Sequence, residues 1–201
     1  MSLAYKFVEL IIIGMVFIPL VYYSNLLGVW LFTKKRNRGF EKISELQWNL
    51  DTKKIPTVVD SCREYWELEM PKRLTASAAG YDIFSPFKFT LEPNESISIP
   101  TGFKVYMNAN EKLSIYPRSG LGFKYFVRLA NTVGIGDSDY FNCAKNEGHY
   151  LVKIRNEGSE KVSIEEGDAI AQCIFSEYLL VDGDNNYSGE IRVGGFGSTN
   201  K

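Results

Sequence analysis

From Pro71 to Phe175 the chain is written in short β-rich segments closed by turn signals, and this rhythm constrains the fold more than any other feature. Ser96-Ile97-Ser98-Ile99 alternates hydroxyl and branched apolar side chains, the period of a half-buried strand. Pro100-Thr101-Gly102 then reads as a turn into Phe103-Lys104-Val105-Tyr106. Similar segments occupy 112–116, 150–155, 161–164 and 169–175, punctuated by Glu92-Pro93-Asn94, Asn156-Glu157-Gly158 and Glu166-Gly167-Asp168. No helical stretch alternates with them, so the pattern predicts an all-β sandwich, jelly roll or barrel rather than a parallel βαβ sheet. Residues 39–70 show no long helical period and predict an opening strand and one short helix around 61–69.

The first residues pose a separate problem. No charged side chain lies between Leu10 and Phe32, a length sufficient to cross a bilayer as a helix. The basic cluster Lys34-Lys35-Arg36-Asn37-Arg38 follows at once, which by the positive-inside rule leaves the remainder in the cytoplasm. The expected organisation is therefore a candidate transmembrane helix at 1–33, anchoring through 10–32, a non-native extension or a buried helix of the domain being the alternatives, with a basic flank and lead-in segment at 34–70. A β domain at 71–183 and a flexible polar, glycine-rich arm at 184–201 complete it.

A formal net charge of −1 supplies no global basic field, so nucleic-acid binding through the whole surface is not expected. Cys62, Cys143 and Cys173 form no CxxC pair, and the single His149 completes no zinc site at a familiar spacing. They read as reduced thiols of a cytosolic domain. With one histidine in the chain, carboxylates, arginine and backbone amides must carry any chemistry.

Five segments hold such groups. The first is Ala78-Ala79-Gly80-Tyr81-Asp82-Ile83, in which Asp82 alone reads as an ordinary turn residue. In Tyr116-Pro117-Arg118-Ser119-Gly120-Leu121-Gly122, Pro and Gly bracket a tight turn. There Arg118, the Ser119 hydroxyl and backbone amides could converge on an anion, or Arg118 could be a solvated turn arginine. The third, Asn131-Thr132-Val133-Gly134-Ile135-Gly136-Asp137-Ser138-Asp139-Tyr140, puts two carboxylates two apart. On an extended strand they face one way, a candidate base with a supporting charge, or else the polar end of a hairpin. Gly167-Asp168-Ala169-Ile170-Ala171-Gln172 opens a strand and offers an amide at Gln172. The last, Arg192-Val193-Gly194-Gly195-Phe196-Gly197-Ser198-Thr199, has the amides, hydroxyls and arginine of a phosphate wrap, with Phe196 able to stack on a base. It lacks the lysine and following helix of a P-loop.

Singly these are weak; in this order and spacing they resemble the five motifs of the trimeric dUTP pyrophosphatase (dUTPase) family, over residues 39–200. The resemblance implies a dUTPase-like jelly-roll fold, a homotrimer with three sites shared between chains, and hydrolysis of dUTP to dUMP and pyrophosphate. It places Asp137 as the base for water attack at the α-phosphorus. Asn131 and Gly134 fall on the uracil-reading hairpin, and Tyr140 on the aromatic that packs against deoxyribose. Arg118, Ser119, Gly120 and Gln172 match phosphate contacts, and Asp82 matches the aspartate that reaches Mg²⁺ through water, the ion being held mainly by the triphosphate. The arm would bring Phe196 over the base and Arg192, Gly197, Ser198 and Thr199 to the phosphates.

The chain departs from the pattern in several places. Gly136 stands where a bulky aliphatic is usual, which would loosen the hairpin, and Ala169 stands where a basic residue is common. Arg192 lies one residue closer to the glycines than in many relatives. The run 141–148 resembles a longer-loop branch found in phages and some bacteria. The sister enzyme dCTP deaminase needs a glutamate where alignment on Asn156 puts Lys153, and a lysine cannot serve as that carboxylate. A nucleotide-gated regulatory protein on the same fold is the alternative of a different class.

Overall fold

The computed structural model describes residues 36–53, 55, 58, 60–184 and 195. Among them no helix is long and apolar enough to cross a membrane. The candidate span at 10–32 lies outside the described residues.

The architecture is β-rich with little helix. Strands β1 (Gly39–Lys42), β2 (Tyr81–Phe84), β3 (Phe89–Leu91), β4 (Ser96–Pro100), β5 (Phe103–Tyr106) and β6 (Glu111–Pro117) are followed by β7 (Val127–Leu129) and β8 (Gly134–Asp137). Strands β9 (Leu151–Asn156), β10 (Val162–Ile164) and β11 (Ala169–Glu177) complete the set. They pair antiparallel in a four-stranded sheet of order β2-β11-β6-β8, a three-stranded sheet β4-β9-β7, and the two-stranded ribbons β1-β5 and β10-β3. The expected alternation is visible in β9, whose Val152, Ile154 and Asn156 point inward while Lys153 and Arg155 point out. Val152 and Ile154 build the core with Ile83, Leu91, Ile99, Phe103, Leu113 and Ile170. Each such apolar side chain, fully buried, contributes about 1.5–3 kcal/mol.

The lead-in segment departs from expectation. The helix near 61–69 is present as α2 (Ser61–Glu67), but a second helix, α1 (Glu45–Thr52), precedes it. Ser44 caps α1 by accepting from the Gln47 amide at 3.1 Å. The period was hidden because α1 buries Gln47, Trp48 and Thr52 while its leucines face outward, Leu46 71% and Leu50 60% exposed. Trp48 and Ile43 pack with Leu68 in a small second core, and the indole N–H donates to the Ser61 carbonyl. Beyond β6 the expected tight turn is instead a short helix, α3 (Ser119–Tyr125), which ends at Phe126 in the left-handed region.

Candidate active site

The four-stranded sheet gathers four of the five sequence motifs. In register, Asp82 on β2 lies beside Gln172 on β11, which lies beside Tyr116 on β6. Asp82 is buried and makes an ion pair with Arg118, one residue beyond β6. The Gln172 amide donates to the Pro117 carbonyl at 3.2 Å, and its oxygen lies 2.8 Å from where a Cβ on Gly80 would stand. A side chain at Gly80 would press on the end of the Gln172 amide. At the start of α3 the first helical bond runs from the Gly122 amide to the Arg118 carbonyl. The amides of Ser119 and Gly120 therefore have no helical acceptor. Among the described residues, its chain neighbours and own helix backbone aside, nothing lies within 4 Å of a Cβ on Gly120, so the space before it is open. Asp82, Arg118, Ser119, Gly120 and Gln172 are brought together at one end of the sheet.

The third motif lies elsewhere. The expected hairpin is not a paired one: β7 joins β9 in one sheet while β8 joins β6 in the other. The connecting turn carries Thr132 at φ 63°, with the Val133 amide donating to the Asn131 carbonyl. The splaying leaves two adjoining clefts, of about 330 and about 190 Å³, that share Ile115, Asn131, Gly134 and Leu151. The larger reaches Lys153; the smaller reaches Gly136, Tyr140, Tyr150 and Gly195. Asp139 does not continue the strand, because β8 ends at Asp137 and Ser138–Tyr140 turns into a 3₁₀ helix. The two carboxylates therefore do not share a strand face.

Gly136 does not loosen this segment. A Cβ there would lie 1.9 Å from the Tyr150 hydroxyl, so the tyrosine ring fills the space an aliphatic side chain would take. Tyr150 stacks on Phe103, centroids 5.7 Å apart, and meets Tyr140 edge-on at 5.3 Å. Sequence reasoning missed Tyr150, and it missed the partner of His149. The His149 imidazole is fully buried; Nε2 accepts from the Gly102 amide at 2.9 Å, which leaves the ring proton on Nδ1 to donate to Asp51 at 2.5 Å. Burial pushes the Asp51 carboxyl up, and hydrogen bonds from His149 and Gln47 more than offset this, so it sits below the usual carboxylate range. A histidine before a strand was a legible signal, but nothing linked it to an aspartate 98 positions away.

Asp137 and Arg118 stand far apart. Asp137 is in register with Lys112, while Arg118 lies six residues further on, just past the end of β6, roughly 20 Å at strand rise. Of the fifth motif, Gly195 is described, its backbone so close to Tyr140 that a Cβ would lie 2.6 Å from the hydroxyl. Arg192, Phe196, Gly197, Ser198 and Thr199 lie outside the described residues.

A dUTPase family model matches residues 66–200, and a deoxyuridine 5'-triphosphate nucleotidohydrolase of Lactococcus lactis is 45% identical over 132 residues, 66% of this chain and 88% of the relative. The chain belongs to the dUTPase family. The corresponding Haemophilus influenzae protein is 37% identical over 158 residues, 74% of this chain and 99% of its own length. Among solved structures, Streptococcus mutans dUTPase is similar with a TM-score of 0.57 at 34% identity, over 72% of this chain and 99% of that one. A Staphylococcus aureus phage dUTPase shares the fold at 19% identity, TM-score 0.53, over 77% and 100%.

Proposed function

We propose that this chain hydrolyses dUTP to dUMP and pyrophosphate at sites shared between three copies of itself. The observation that carries the shared-site reading is the distance along β6. Asp137 and the Arg118 cluster lie towards opposite ends of β6, a separation of roughly 20 Å along the backbone that a site assembled from two copies would close. In a homotrimer the Asp137 end of one copy can meet the Arg118 end of another. Membership of the dUTPase family supports the substrate.

Uracil enters the cleft between β7 and β8, where backbone groups of 131–135 and the Asn131 amide read its edge and Gly134 leaves room for the ring. Tyr140 packs against the deoxyribose and leaves no space for a 2′-hydroxyl. Arg118, the amides of Ser119 and Gly120, and Gln172 hold the phosphates of the same nucleotide from another copy. Asp137 orients a water in line with the α-phosphorus and takes its proton as pyrophosphate leaves, a task of positioning and electrostatics within reach of a carboxylate. The arm supplies Phe196 over the base and Arg192, Gly197, Ser198 and Thr199 to the terminal phosphate.

No group of three His, Cys, Asp or Glu side chains among the described residues could hold a metal. A single carboxylate of Asp82 fits an ion that keeps its waters and rides on the triphosphate, as Mg²⁺ does. Mg²⁺ bound there would neutralise phosphate charge.

Offered dUTP, dCTP, dTTP and UTP with Mg²⁺, the protein is expected to release pyrophosphate from dUTP alone. Asp137→Asn is expected to slow that release about 10²–10⁴-fold, the usual contribution of a positioned base. Release from dCTP or UTP at a similar rate, or an unaffected Asp137→Asn variant, contradicts the reading.

A further inference from the structure

The run 141–148 is held in a way that bears on the sugar-facing wall. The Glu147 carboxylate accepts from both the amide and the hydroxyl of Ser44, at 3.0 and 2.5 Å, where α1 begins. Asp51, in the last turn of α1, accepts from His149. The loop thus grips the helix at both ends. The far side of the imidazole is fixed by the Gly102 amide, in the turn between β4 and β5. The His149 carbonyl accepts from the Tyr140 hydroxyl at 2.9 Å and from the Asn146 amide at 3.2 Å, and Asn146 also donates to the Tyr140 oxygen at 2.8 Å. Both hydrogen-bonding directions of the Tyr140 hydroxyl are therefore set by the loop that α1 holds.

We infer that Asp51 and His149 are positioning residues for sugar discrimination: α1, packed behind the site, fixes the Tyr140 ring through them. The inference rests on the reading of Tyr140 as the deoxyribose wall. A ring free to tilt would admit a 2′-hydroxyl, so specificity is set by the rigidity of the wall as well as by its shape.

The test uses the full chain with Mg²⁺ and the non-hydrolysable α,β-imido analogues of dUTP and UTP, their dissociation constants read by calorimetry. The wild-type protein is expected to prefer the deoxy analogue. Asp51→Ala removes an acceptor from a partly exposed position and is expected to lower that preference about five- to tenfold, the scale of one net hydrogen bond. Asp51→Asn keeps an acceptor and is expected to stay within about twofold of wild type. Should Asp51→Ala not fold, Tyr140→Phe, which removes only the hydroxyl at the end of the network, is expected to give the same loss. An unchanged preference in Asp51→Ala or in Tyr140→Phe overturns the inference, even if melting temperature falls. A wild-type protein that shows no preference for the deoxy analogue overturns the reading beneath it, and the inference with it. Deoxy preference without pyrophosphate release from dUTP would strike the hydrolase reading alone and leave the positioning test readable.

Discussion

At Gly136 the backbone of β8 runs against the Tyr150 hydroxyl, where even a methyl group would stand 1.9 Å away. Gly136→Ile is therefore expected to displace the tyrosine ring from between Phe103 and Tyr140 and to cost about 3 kcal/mol of stability, the upper range for an overpacked core. Tyr150→Ala leaves a cavity and costs about 3–5 kcal/mol. Combining the two fills part of that cavity, and the pair is expected to be less destabilising than the sum by about 1–2 kcal/mol. Denaturant unfolding of all four proteins measures this coupling, and strictly additive losses would refute it. From the sequence, Gly136 looked like a defect beside the base; its complement, fourteen residues on across a loop, carried no local signal. Asp137, Asn131 and Tyr140 could be proposed from the sequence because their residue types and spacing fall in one short segment.

The strands could be read because period-two burial and turn residues both mark them, as in β4 and β9. Of the helices, α2 was expected near 61–69, but α1 and α3 were not. α1 turns its leucines to the surface, and α3 follows Pro117 and carries Gly120 and Gly122 within it, residues that elsewhere mark turns. The lead-in strand β1 is tied to the main sheet by a contact equally silent in the sequence. Arg38 donates from Nε to both oxygens of buried Glu111 at 3.0 and 3.1 Å, and the Asn108 amide adds a bond at 3.1 Å. The Arg38 hydrogen bond outweighs burial and, with Asn108, holds the Glu111 carboxyl down at about 2, against an ordinary 4.5. A carboxyl depressed in the folded state stabilises it fully above its unfolded pKa, so this contribution is present above about pH 4.5 and is lost as pH falls towards about 2. Melting temperature followed from neutral pH down to about pH 2 is expected to fall less steeply in Glu111→Gln than in the wild type. Parallel curves would show that Glu111 does not carry the acid sensitivity.

At the scale of the whole molecule, the five motifs were legible as a set, while their separation along β6 was not, because only strand register shows that Asp137 pairs with Lys112 and Arg118 lies at the other end. On the proposed reading that separation makes assembly part of the chemistry, with the two ends of β6 serving different sites. The measurement that tests this most directly mixes two inactive proteins, Asp137→Asn and Arg118→Ala, co-expressed or co-refolded so that their subunits randomise. If each site takes its base from one copy and its phosphate grip from another, about a quarter of the sites regain both native groups. Pyrophosphate release from dUTP should then rise well above that of either protein alone, towards about a quarter of the wild-type rate. No recovery in a mixture whose subunits have demonstrably exchanged would contradict a site shared between chains.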